Sequence, residues 1–149
     1  MRFILLFFIT VISSIMGCKI ISAGSYPYAQ VYNYKINEDT LISMLTTLKE
    51  RDSNLIPPAT LNLVDGRSDS TDYWYHIYFY NKNENEIIHT WVRKKDKQIT
   101  NLVFVGINQG LALGNWKEIN KDYNKADNKR KIKEFQNLIL KRISIGSID

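Results

Sequence analysis

Between Tyr73 and Ile107 the chain carries three runs in quick succession, "YWYHIYFY", "EIIHTWVRK" and "ITNLVFVGI", separated only by the polar stretches "NKNEN" and "KDKQ". Aromatic and β-branched side chains of this kind suit a pleated, half-buried surface, and short polar links join neighbouring strands as hairpins. The runs therefore read as strands over 73–80, 86–94 and 99–107, forming an antiparallel meander. The third is apolar on both parities through "LVFVGI", so it is expected to be central and covered on both faces. With 149 residues and 44% hydrophobic side chains, there is material for one domain with a real core and little for a second.

Other elements flank the meander. Tyr28, Tyr32, Tyr34 and Ile36 share one parity, which predicts a strand over 28–36. Asn37-Glu38-Asp39 offers a capping side chain and negative charge ahead of Leu41, Met44, Leu45 and Leu48 at helical spacing, predicting a helix over 38–51. Pro57-Pro58 prevents its continuation, and Asp65 to Asp72 reads as a turn-rich loop. Near the C-terminus Ile132, Phe135, Ile139 and Ile143 form a stripe with lysines opposite, predicting an amphipathic helix over 129–143. The order β-α-β-β-β-α defines a two-layer α+β domain with an N-terminal and a C-terminal helix.

The first residues read differently. One positive charge at Arg2, an apolar run from Phe3 to Ile12 broken only by Thr10, and Ser13-Ser14 before Gly17 make the tripartite layout of an export signal. Ile15-Met16-Gly17-Cys18, which holds the chain's single cysteine, resembles the lipobox of bacterial lipoproteins. That resemblance covers 18 residues and implies acylation of the Cys18 thiol, cleavage before it and a membrane anchor; it implies no activity. An exported chain with one cysteine cannot form an internal disulfide, and acylation accounts for the lone thiol. Two or three acyl chains, at roughly 0.8 kcal/mol per buried methylene, hold where one would be marginal. Two alternatives remain: cleavage after Ile21-Ser22-Ala23, giving a secreted protein, and retention of Phe3 to Ile21 as a membrane span.

The expected layout is a signal peptide over 1–17, a lipidated tether over 18–27 and one domain over 28–149. Lys19 follows the cysteine with no acidic residue beside it, so the aspartate that retains many lipoproteins in the inner membrane is missing. The resemblance thus implies an outer-membrane site facing the periplasm.

Candidate functional residues concentrate on one face of the first hairpin. A loop centred between Lys82 and Asn83 would set His76 opposite His89 and Trp74 opposite Trp91. One face would then read Trp74, His76, Tyr78, Tyr80 against Ile87, His89, Trp91, Arg93, and the other, with Tyr75, Ile77, Phe79, Ile88, Thr90 and Val92, would suit a core. Register decides such pairings. Trp74, His76, Tyr78, His89, Trp91 and Arg93 form the candidate binding surface, against which stands the plainer reading of half-buried strand residues. His76 and His89 could instead hold a metal, with Asp69 or Asp72 helping, but a zinc site needs a third ligand and none has convincing spacing.

Remaining motifs point to structure. The Asp65 to Asp72 loop lacks the alternating acidic order of an EF-hand and contains Arg67, against calcium. Gly106, Gly110 and Gly114 match no phosphate-loop order and read as turn or close-packing glycines. Lys117, Lys121, Lys125, Lys129 and Lys133 recur every fourth residue, marking a solvated face or a contact with anionic headgroups. Ser68 and Ser70 lie near Asp69, Asp72 and His76 in sequence, yet no Gly-x-Ser-x-Gly elbow frames them. The net charge of +5 is too small to make nucleic acid a leading partner. The chain reads as a binding module ahead of an enzyme, with no cofactor expected and with the membrane and an envelope protein or component as partners. A toxin-neutralising immunity lipoprotein is one concrete form, offered by analogy; a metal-dependent hydrolase using His76 and His89, or a structural envelope lipoprotein, are the alternatives.

Overall fold

The computed structural model describes residues 26–143; the signal-like segment and Cys18 lie outside the described residues. Strand β1 (Gln30–Tyr34) leads to helix α1 (Glu38–Arg51), followed by strands β2 (Tyr75–Asn81), β3 (Glu86–Lys94), β4 (Thr100–Gln109) and β5 (Trp116–Glu118), and helix α2 (Lys125–Leu138). The strands form one open antiparallel sheet in the order β1-β4-β3-β2, with β5 also on β4. This is the expected mixed α+β architecture and meander, with one strand more than the sequence suggested. Among the described residues no helix is long and apolar enough to cross a membrane.

Helix α1 occupies the residues its sequence signals mark. Asn37 is extended, and its Oδ1 accepts a 2.7 Å hydrogen bond from the Thr40 amide. Glu38 and Asp39 sit in the first turn, Lys49 and Arg51 in the last, each charge complementing the helix dipole. Helix α2 begins four residues earlier than expected, because Asn124 caps it by accepting from the Asp127 amide at 2.9 Å. It ends at Leu138 and passes through a 3-10 turn at Leu140–Arg142, so the predicted continuous helix to 143 is corrected. Ile139 and Ile143 nonetheless stay in the core.

Both helices cover the same face of the sheet. Leu41, Leu45 and Leu48 of α1, with Phe135 and Ile139, pack on Tyr34, Ile77, Phe79, Ile88, Val92, Leu102 and Phe104; Phe135 stacks on Phe104 at a 4.5 Å centroid distance. Strand β4 is buried on both sides, as its sequence predicts. A bulge between His89 and Thr90 on β3 leaves Val105 of β4 unpaired, and Val103 and Val105 join Trp91 in a small second cluster on the face away from the helices. Tyr26, Ala29 and Trp74 cover that cluster. Tyr26, expected in the tether, therefore belongs to the domain.

Lys131, beside Lys129 and Lys133 of the row expected to be solvated, is only 3% exposed. Its ammonium lies 2.7 Å from Glu86 and 3.1 Å from Glu134, tying α2 to the start of β3. The outer edge of β2 is closed by the loop that precedes it: Gly66 and His76 exchange backbone hydrogen bonds at 2.9 and 2.8 Å. Asp65 Oδ1 accepts from the Tyr78 amide at 3.0 Å, and Lys49 donates to the Tyr78 carbonyl at 2.9 Å and to Asp65. The outward backbone groups of His76 and Tyr78 are thereby paired, and residues 65–72 are held beside the helix-free face.

Candidate functional site: the helix-free face of the sheet

The hairpin register differs from expectation. Tyr78 is the partner of His89, and His76 of Trp91, so the loop centre lies one residue further on. The cause is a four-residue turn, Lys82 to Asn85, in which Asn85 adopts a left-handed φ of 52° and accepts from the Tyr80 hydroxyl at 2.9 Å. Asparagine tolerates that conformation better than most residues. Moving the centre by one residue shifts the pairing by two, which preserves the faces. His76 and His89 consequently meet diagonally, with His76 Nδ1 2.9 Å from His89 Nε2.

The structure brings five of the six candidate residues together. Tyr78 stacks on the His89 ring at 4.9 Å and 15°, the imidazoles lie 5.2 Å apart, and Trp74 lies 5.8 Å from Trp91. Arg93 stands apart, over the Tyr73 ring at 5.7 Å. Two residues absent from the candidate surface complete it. Tyr26 packs edge-on against Trp74 at 5.4 Å and His89 at 6.1 Å. Trp116 meets His89 at 5.8 Å and is 40% exposed. Trp116 reaches the face through β5, whose pairing requires Gly106: a Cβ there would lie 2.4 Å from the Lys117 carbonyl oxygen.

Asp72 anchors the polar side. Its carboxylate accepts from the Trp74 amide at 2.9 Å and the Ser68 amide at 3.0 Å, and lies 3.3 Å from His76 Nε2. The Trp74 and Ser68 amides hold its pKa well below the usual carboxylate range. A continuous line results, Asp72 to His76 to His89. Burial, with the neighbouring His76 adding to it, pushes His89 down to about 4, and burial raises the phenols of Tyr26 and Tyr78. At neutral pH His89 is therefore an uncharged ring.

Two depressions flank these rings. One, of about 580 Å³, lies between the 68–74 loop and the imidazoles. The other, of about 390 Å³, runs between Leu63, Leu113 and Trp116. Tyr26, Tyr78 and His89 line both. The Nε1 donors of Trp74 and Trp91 are buried with no hydrogen-bond partner, an arrangement that carries a desolvation cost.

The metal and calcium readings find little here. Two nitrogens on one tetrahedral zinc would stand about 3.3 Å apart and aim at the ion, whereas these two face each other at hydrogen-bond distance. No group of three His, Cys, Asp or Glu side chains suited to a metal occurs among the described residues. In the loop, Asp65 serves Lys49 and Tyr78, Asp69 serves Thr71, and Asp72 serves Ser68, Trp74 and His76. The Ser68 backbone amide donates to Asp72, and among the described residues no hydrogen bond joins the Ser68 hydroxyl to His76 or His89. Compared with protein-family models, curated proteins and solved structures, the chain matches none.

Proposed function

We propose that this is a lipid-anchored protein of the bacterial cell envelope, held through an acylated Cys18 and facing the periplasm, whose helix-free sheet face binds a protein or another envelope component. One observation carries the binding role: two helices cover one face of the sheet, while the other presents Tyr26, Trp74, Tyr78 and Trp116 around two depressions. Aromatic side chains bring large contact area at low entropic cost and dominate the centres of protein interfaces. The Ile15-Met16-Gly17-Cys18 sequence supports the anchor. Residues 19–25 alone then separate the lipid from Tyr26, a reach of about 25 Å when extended, which keeps the face close to the bilayer.

A photoreactive amino acid at position 116 of the membrane-bound chain tests the binding role. It is expected to give a discrete adduct in intact cells that disappears when Trp74→Ala is added. The same probe at Glu50, exposed on α1, is expected to give none; equal labelling from both positions contradicts the proposal.

A further inference from the structure

One side-chain polar contact on the open face joins two like groups. His76 Nδ1 and His89 Nε2 are 2.9 Å apart, and His76 Nε2 is 3.3 Å from Asp72 Oδ2. Each gap has room for one proton. Charged Asp72 draws the Nε2–H of His76 into the first, which leaves His76 Nδ1 bare to accept the Nε2–H of His89. One added proton is absorbed without rearrangement of the rings: His76 becomes doubly protonated, donates both ways, and His89 moves its own proton to Nδ1. A second added proton has no such place. It puts N–H groups on both sides of a 2.9 Å gap and two cationic rings at a 5.2 Å separation.

We propose that the Asp72–His76–His89 line is a proton-operated latch, which holds the rings of the open face together through the first added proton and releases those packed on His89 with the second. The groups facing His89 allow this. From β2 come His76 and Tyr78, from the loop Asp72 with Asp69 close by, and from the N-terminal segment Tyr26. From β5 comes Trp116, with Lys117 and Glu118 lining the same depression. Asp72, Asp69 and Glu118 line the two depressions, and the Lys117 ammonium sits over the Tyr123 ring. Among the described residues no carboxylate bonds directly to His89, so none offsets the second.

Release falls on the N-terminal segment: among the described residues Tyr26 takes part in one turn hydrogen bond, Ala29 to Tyr26, at 3.3 Å, whereas β5 stays paired with β4 and is followed by Ile119 in the core. Ile88 and Thr90, the neighbours of His89 in β3, point into the helix-covered side, so that core is not disturbed. The ionisation of His89, near 4, places the transition well below neutrality. The latch is independent of what the face binds and of the lipid anchor.

Acrylamide quenching of tryptophan emission and far-UV circular dichroism, followed on the full chain in a mild non-ionic detergent from pH 7 to about pH 3.5, test it. A reversible rise in quenching centred near pH 4, with the circular dichroism unchanged, is expected. His89→Gln keeps a nitrogen near the Nε2 position and cannot titrate, and His76→Asn removes the second ring; both are expected to match the wild type at pH 7 and to lose the transition. Should one variant not fold, the other decides. No transition in the wild type, one that coincides with loss of secondary structure, or one that survives in a folded variant overturns the latch.

Discussion

At Gly106 the absence of a single methyl group lets β5 lie against β4 and so places Trp116 on the open face. Gly106→Ala sets a Cβ 2.4 Å from a backbone oxygen, which cannot swing aside as a flexible side chain would. The expected cost is about 1–3 kcal/mol, with a red shift of tryptophan emission as Trp116 is freed; denaturant titration and fluorescence read both. His89 makes a second residue-scale prediction. Its folded pKa of about 4 lies below the ordinary 6.5, so between these values the unfolded chain binds a proton that the native one does not. Its contribution is complete above about pH 6.5 and falls away towards pH 4, by roughly 3 kcal/mol at ~1.4 kcal/mol per pH unit. Urea midpoints at pH 7 and pH 4.5 are expected to show this loss in the wild type and much less of it in His89→Gln. The two histidines were legible as a pair from the sequence. Their diagonal meeting was not, because it depends on Asn85 accepting a left-handed φ, and Asp72 was legible only as a near neighbour.

At the scale of elements, local signals and tertiary burial part company. The bounds of α1 follow from Asn37, Glu38 and Asp39 against Leu41, Leu45 and Leu48, all within reach of a sequence window. Asn37→Ala is expected to cost about 1 kcal/mol, measured as a lower urea midpoint with the fold retained. Strand β5 has three residues and no periodicity to detect; only the demand of Gly106 for a close neighbour hints at it. Lys131 reads as solvated because charge normally marks solvent, yet Glu86 draws it inside. Removing Lys131 leaves the buried Glu86 carboxylate without its cation. Lys131→Ala is expected to destabilise by about 3–5 kcal/mol, whereas Lys131→Met with Glu86→Gln recovers most of that, since an apolar or neutral replacement of both partners avoids the desolvation cost.

The described residues form a two-layer domain with unlike faces. The division was readable from strand parity alone: one parity in β2 and β3 carries Ile77, Phe79, Ile88, Thr90 and Val92, and the other carries His76, Tyr78, His89 and Trp91. What covers the second face was not readable, because Tyr26 and Trp116 come from opposite ends of the domain and only folding brings them to His89. The account joins this face to a membrane anchor at Cys18, from which the short segment 19–25 would hold it near the bilayer. Intact mass spectrometry of the chain extracted from membranes, wild type beside Cys18→Ser, tests that central claim most directly. The account predicts a mature chain beginning at Cys18 with added acyl mass, and loss of that species in the variant. An unacylated chain beginning near Gly24, released without detergent, contradicts it.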